Sequence, residues 1–381
     1  MEALTFTGSA TSCKVFTGHI EATAEAQIAA FLDCPAFAGC QIRIMPDVHA
    51  GAGAVIGFTS PVGPGVCPNV IGVDIGCGVM AVRLGSGGAD FPSLDAFIRR
   101  LIPSGFSVRQ TAIPREILDE ECGEGFADSI EALAVKVGCE PGKVLRAVGS
   151  LGGGNHFIEV DQDRDGDLWL TLHSGSRNFG LRVATYHQKI AESIMGKCGG
   201  LAWLECDNAL AYLSDMRIAQ RYAGINRLTM AREIVGGFFG FDLGALRVVE
   251  SVHNFIGADD IIRKGAISAR CGEPVVIPWN MRDGLILGEG LGAADWNYSA
   301  PHGAGRRMGR KEAHRTLSVD VFTAAMADAG VWSSCVGKDT LDEAPEAYKP
   351  YSEIEAWLGE TVRITNRLFP VYNFKASEER V

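Results

Sequence analysis

Eight histidines and eleven cysteines are spread over 381 residues, and a few of them sit where side chains can do chemistry. Asp74 and Cys77 lie three apart in "VDIGCGVMAV", with Gly76 and Gly78 on either side of the thiol. His156, His173, His253 and His302 occur in "GGGNHF", "LHSGSRN", "VHNF" and "APHGAG", contexts of turns and strand ends. A lone histidine is usually a satisfied polar residue, and a cysteine in "IGCGV" is usually a small buried hydrophobe. Three imidazoles, a thiolate and a carboxylate together are a sufficient donor set for one or two transition metals. Tens of residues separate the candidates, so only a fold can gather them.

Other chemistries leave no trace. "GAGAVIG" places its third glycine one residue late for a dinucleotide fingerprint, and no helical pattern follows. There is no GxxxxGK[ST] phosphate loop and no G-x-S-x-G nucleophile elbow. The cysteines form no CxxC pairs, which excludes a zinc ribbon and gives no disulfide framework. A net charge of −11 argues against a general nucleic-acid binder. Against it stands a local basic segment, "HGAGRRMGRKEAHR", able to grip phosphates or simply to face solvent. The sequence shows no run of about 20 apolar residues and no basic-then-apolar leader, so the cytoplasm is the expected compartment.

These residues need an α+β scaffold. Apolar spacing predicts a helix over 21–33, and strands alternate with glycine turns from Gln41 to Val82. Ser93 is expected to cap a helix running through Leu101. Helices are expected over 115–148 and most of 181–235, with the strands "HFIEVD" and "LWLTLHS" between them. "RVVESVHNFI" fits either a helix or a strand. "KGAISAR" and "PVVIPWN" read as strands, and a helix and an α/β tail complete the chain. With no repeat and no linker, residues 1–381 are expected to form a single large domain, with mixed sheets around a central metal site and helices outside.

In order along the chain, "MPDVHAGAG", "GVDIGCGV", "GGGNHFIEV", "LHSGSRN", "HNF", "KGAIS", "SAPHGAGR", "DEAPEAYKP" and "VYNFK" resemble the signatures of the RtcB family of RNA ligases. The resemblance runs from about residue 40 to residue 375. It implies GTP- and manganese-dependent joining of an RNA 3′-phosphate, or 2′,3′-cyclic phosphate, to a 5′-hydroxyl. Two manganese ions would share Cys77, one also held by Asp74 and His156, the other by His173 and His253. His302 would take GMP from GTP, with Asp47 fixing its tautomer. Asn155, Phe157, Glu159, His253, Asn254, Pro278, Asn280, Met281, Arg282, Gly303, Gly305 and Lys375 would form the GTP site. Arg177, Arg263, Lys264, Arg306, Arg307 and Arg310 are the candidates for gripping RNA phosphates. The implied partners are RNA ends and GTP, an accessory repair or activating protein, and no membrane.

One loop departs from the family pattern. Where the family reads close to "PGSMG", this chain has "PWNMRDG": Trp279, Asn280 and Arg282 stand for Gly, Ser and Gly. Arg282 is expected to supply the lost phosphate contact and Trp279 to close the pocket, which suggests a divergent branch devoted to RNA repair. A Cys/His-rich site would also bind zinc more tightly than manganese. Two other functions compete: a metal-dependent cyclic phosphodiesterase that does not ligate, and a non-catalytic RNA-binding protein. Neither needs His302.

Overall fold

The computed structural model describes residues 2–376, and it is a mixed α/β structure. A seven-stranded sheet runs in the order Pro274–Asn280, Gly284–Gly290, Val362–Lys375, Phe157–Gln162, Asp167–Ser174, Gly78–Ser86, Val248–Val252. All its neighbours are antiparallel. A six-stranded sheet runs Leu4–Thr7, Ser12–Val15, Ile42–His49, Ile56–Pro61, Ile261–Lys264, Asn254–Ile256. The pair Ala266–Ser268 and Ser299–Pro301 forms a third, small sheet.

Both faces of the larger sheet are covered, so its central strands are buried along nearly their whole length, polar residues included. The period of two still sorts the side chains. Met80, Val82, Ile158, Val160, Leu170 and Leu172 point to one face, packed under the helix Phe91–Leu101 and the end of the helix Cys206–Ile234. Val79, Ala81 and Trp169 point to the other, against Val276, Leu285 and Leu287. By the same alternation Phe157, Glu159, Thr171 and His173 lie on this second face, the face that carries the chemistry.

Most expected elements are present. The first long helix is Ala22–Leu32, residues 115–146 hold three helices, and "RVVESVHNFI" resolves into the two strands Val248–Val252 and Asn254–Ile256. The expected cap at Ser93 is corrected: the helix begins at Phe91 with Asp90 as its cap residue. Pro92 lacks an N–H, which a first helical turn does not miss, so the helix starts before Ser93. Ser93 lies inside that turn and turns its hydroxyl back to the Asp90 carboxylate. Among the described residues no helix is long and apolar enough to cross a membrane.

Candidate functional site

Strand register does what sequence spacing cannot. His173 pairs with Val79 on one side and Phe157 on the other, and Gly78 pairs with Ser174 and Val252. Cys77, at the mouth of its strand, accepts a hydrogen bond from the His253 main-chain N–H at 2.9 Å. Residues up to 176 positions apart are thus neighbours at one sheet end. The glycines flanking Cys77 let two neighbouring elements come close to the backbone of its turn. A Cβ at Gly76, whose φ is +71°, would lie 2.8 Å from the Gln220 Cα of the long helix, and one at Gly78 would lie 2.6 Å from the Ser251 carbonyl oxygen. The thiol turn is therefore wedged between helix and strand, which fixes where its sulfur points.

The long helix locks this arrangement from beneath. Asn226 accepts from the main-chain N–H groups of Gly149 and Ser150 and donates to Gly175 and Ser174. Arg227, almost wholly buried, donates to the carbonyls of Gly76 and Ser174 and pairs with Glu250. Two turns bearing candidate ligands are thus tied to one helix by charge-assisted bonds.

At the centre, Cys77 Sγ is 3.4 Å from His156 Nε2 and 3.3 Å from His173 Nε2. His173 Nε2 is 3.4 Å from His253 Nε2, and His156 Nε2 is 3.0 Å from Asp74 Oδ2. His156 gives its Nδ1–H to the Leu151 carbonyl at 2.9 Å, and His173 gives its own to Asn155 at 3.1 Å. That tautomer leaves both Nε2 lone pairs facing inward. Acceptor then faces acceptor at 3.0 Å between His156 and Asp74, an arrangement that repels unless positive charge lies between. Burial, followed by the neighbouring imidazoles, holds His173 and His253 well below the usual histidine range, so they are neutral donors. Burial would raise the Asp74 carboxyl, but positive charge on the His156 side outweighs it and holds it at about 2, which is the same demand for a cation beside this oxygen. Burial first, then Asp74, pushes the Cys77 thiol well up, so a cation must displace its proton to bind. Cys77, His156 and His173 form a buried group able to hold a metal ion, and the donor chemistry fits one.

The cluster forms the floor of a cavity of about 780 Å³. His302 enters from a neighbouring loop, its ring centroid 4.8 Å from that of His253. Its Nδ1–H donates to Asp47 Oδ2 at 2.6 Å, and its main-chain N–H reaches the same oxygen at 3.2 Å. Asp47 is wholly buried. The His302 Nε2 lone pair is therefore free, which is the form a nitrogen nucleophile needs. Gly305 keeps this loop against Asp47: its φ is +73°, and a Cβ there would lie 2.2 Å from the Asp47 carbonyl oxygen.

Asn155, Phe157, Glu159, Asn254, Pro278, Asn280, Met281, Gly303, Gly305 and Lys375 line the same cavity, with Trp279. At the far end Lys375 Nζ is 2.7 Å from Glu343 Oε2 and lies over the Phe157 ring. Glu343 also pairs with Arg306 and Arg310. Burial alone would raise this carboxyl, but Lys375, Arg310 and Arg306 outweigh it and hold it at about 2. Burial and the adjacent Asp161 push Glu159 well above the usual range, so this wall carries a neutral acid. Glu343, Tyr348 and His49 line the cavity and were not singled out from sequence. The signals were present: the first two lie in "DEAPEAYKP" and His49 in "MPDVH".

Several expected phosphate contacts lie elsewhere. Arg263 is 1% exposed and makes a two-toothed pair with Asp259, and Lys264 is 3% exposed with Nζ on the carbonyls of Ala52 and Asn69. Neither presents its charge to a surface that RNA can reach. Arg177 spends its guanidinium on Ser150 Oγ and the Gly105 carbonyl. Arg282 folds onto Asp283 through Nε and Nη2, at 2.8 and 3.0 Å, outside the cavity lining. Arg306 and Arg310 do line the cavity, and Arg307 is exposed.

Sequence comparison accords with this geometry. A family model described as tRNA-splicing ligase RtcB matches residues 27–376. The chain is 29% identical to the RNA-splicing ligase RtcB of Escherichia coli strain K12, over 91% of this chain and 92% of that one. It is 30% identical to the RNA-splicing ligase RtcB2 of another Escherichia coli strain, over 87% of each. It is 28% identical to the tRNA-splicing ligase RtcB of Aeropyrum pernix, over 82% of each. A match over nearly all of its length, with its Cys/His cluster and buried Asp–His pair set in one cavity, means that this chain belongs to the RtcB family of RNA-splicing ligases.

Proposed function

We propose that the chain, acting as one catalytic domain over residues 1–381, is a GTP-dependent ligase that joins an RNA 3′-phosphate to a 5′-hydroxyl. The observation that carries this reading is the His302–Asp47 pair at 2.6 Å, facing the Cys/His cluster across the cavity floor. A metal-only phosphodiesterase would need the cluster and not this pair.

His302 Nε2 attacks the α-phosphorus of GTP, a P–N bond forms, and pyrophosphate leaves. As the ring gains positive character, the Asp47 carboxylate stabilises it through the Nδ1–H. An oxygen of the RNA 3′-phosphate then displaces the imidazole and takes GMP. Where the end is a 2′,3′-cyclic phosphate, water opens it first. The 5′-hydroxyl oxygen attacks the RNA phosphorus, and GMP leaves as the phosphodiester forms. The guanosine would lie among Asn155, Phe157, Glu159 and Lys375.

Asp74, Cys77 and His156 would hold one manganese ion, and Cys77, His173 and His253 the other. Such ions supply Lewis acidity and charge neutralisation at the phosphoryl oxygens. The donor set would also hold zinc tightly, in competition. RNA repair in the cytoplasm, with an accessory protein, completes the reading.

The test is labelling with GTP carrying a radioactive α-phosphate. Wild type should retain acid-labile, hydroxylamine-sensitive label and ligate. His302→Ala should retain none, yet should seal RNA already bearing a 3′-diphosphate-linked guanosine. Normal GTP-dependent ligation by His302→Ala would end the assignment.

A further inference from the structure

Phe106 is 82% exposed, by far the most exposed large apolar side chain among the described residues that is not on a helix. It sits at the tip of a turn closed by the Ser107 N–H on the Ser104 carbonyl at 3.1 Å, with Gly105 at φ +60°. Its direct flanks are Gly105 and Ser107, with Ser104 and the half-buried Val108 next along the chain.

This turn is built onto the active site. The Gly105 N–H donates to the Gly152 carbonyl at 2.9 Å, and the half-buried Arg177 donates to the Gly105 carbonyl at 2.6 Å. Leu151 N–H closes the other side on the Pro103 carbonyl at 2.8 Å. The glycine loop it grips leads directly into Asn155 and His156. A Cβ at Gly152 would lie 2.6 Å from His156 Nδ1, and one at Gly154 would lie 3.5 Å from the guanidinium of Arg310, which lines the cavity. The turn that carries the ring is thus hydrogen-bonded to the glycine loop that delivers Asn155 and His156 to the site.

We propose that Phe106 is a stacking platform for an unpaired base of the RNA substrate, close to the end being joined. This rests on the RNA-joining reading and adds a subsite to it. Every base has a π-face, so one aromatic ring holds RNA without demanding a sequence, as a general end-joining enzyme needs. Flanks this small also suit a single stacked base better than a protein interface, whose centre would be a wider apolar patch. It also gives Arg177 a task. Its charge is used to hold the turn, and through the turn the ring, in register with the cluster.

The experiment uses the full chain and two short single-stranded RNAs, one with a 3′-phosphate and one with a 5′-hydroxyl end. Each carries 2-aminopurine at one of its three terminal positions. With wild type, the fluorescence of one position on one strand should be quenched on binding, and which strand responds names the source of the base. Phe106→Ala should lose that quenching and weaken binding of that strand about tenfold, since a stacked base contributes roughly 1–3 kcal/mol. Phe106→Trp should restore both, and Phe106→Leu should restore neither. An abasic nucleotide at the same position should weaken wild type equally and the alanine variant no further. An unchanged thermal midpoint in the alanine variant shows that the fold is intact. Equal RNA binding by wild type and Phe106→Ala overturns the proposal, as does full rescue by leucine, which points to an apolar protein contact. Failure of wild type to join the two RNAs with GTP would count against the ligase reading, and the binding data would still decide the platform.

Discussion

The two ends of the cavity hold charge in opposite ways. At the floor, Asp74, Cys77 and three imidazoles converge, the Nε2 lone pairs of His156 and His173 facing inward, with no cation among the described residues within the cluster. At the far end Lys375, Arg306 and Arg310 converge on Glu343, and Asp342 also accepts from Arg310. The floor is short of positive charge, and at the far end the cations are already paired with carboxylates. A metal ion gains at the floor because it relieves acceptor–acceptor repulsion that the fold has built in. On the proposed reading, a nucleotide entering the far end would instead compete with Glu343 for Lys375. Preorganisation thus means unsatisfied donors at one end and a saturated ion network at the other.

Breaking the floor should have the largest effect. Cys77→Ala removes the atom nearest two imidazoles, and manganese binding by calorimetry should lose its stoichiometry for both ions together. Guanylylation and sealing of preactivated RNA should both fall by at least about 10³-fold, as when a group acting in a catalytic unit is lost. Two ions bound by the alanine variant would remove Cys77 from a bridging role. Asp47→Asn should cost roughly 10²–10⁴-fold in guanylylation, by offering His302 the wrong hydrogen-bond partner. Sealing of preactivated RNA should be nearly unchanged, so the ratio of the two rates separates Asp47 from the cluster.

The floor was also the more legible end in the sequence. Rare residue types in glycine and asparagine contexts named Cys77, His156, His173 and His253, and the resemblance to a family put Asp47 beside His302. What sequence could not supply was the register that sets Val79, His173 and Phe157 side by side, because pairing is a tertiary fact. The charged residues were harder. Arg263 and Lys264 read as surface cations, yet burial and the choice of partner, Asp259 or main-chain carbonyls, are decided by distant elements. Glu343 lies in one of the family-like motifs but carried no periodic or spacing signal of its own; its setting comes from three cations delivered by two other segments.

At the far end the expected effects are moderate. Glu343→Gln keeps the shape and removes the countercharge of Lys375 and Arg306, so stability should fall by roughly 2–4 kcal/mol, as when one partner of a buried ion pair is lost. The pH dependence gives a sharper reading. Glu343 is held at about 2, below its ordinary 4.5, so its stabilisation is complete above about pH 4.5 and is lost as pH falls toward 2. Unfolding by denaturant across that window should show a shallower acid loss in Glu343→Gln than in wild type. Parallel acid branches would mean that the ion network is not what holds this end.

The smallest effect is expected where the chain departs most from its family. Arg282 looked like a substitute for a lost phosphate contact, because it replaces a small residue in the loop before the nucleophile. Its guanidinium instead lies on Asp283, the very next residue, with both oxygens engaged. Asn280 holds the same carboxylate through Nδ2 at 2.8 Å and accepts from the main-chain N–H groups of 282 and 283. The three residues therefore close a self-contained turn, and Arg282 stands outside the cavity lining. An exposed ion pair between sequence neighbours contributes about 0–1 kcal/mol. Arg282→Ala should accordingly leave the Michaelis constant for GTP within about twofold of wild type and shift stability by no more than about 0.5 kcal/mol. Asn280→Ala should do more, since it releases the turn on which Met281 reaches the cavity. A tenfold rise in the GTP constant for Arg282→Ala alone would mean that the guanidinium leaves Asp283 when nucleotide arrives, and the far end would then be a site that rearranges on binding.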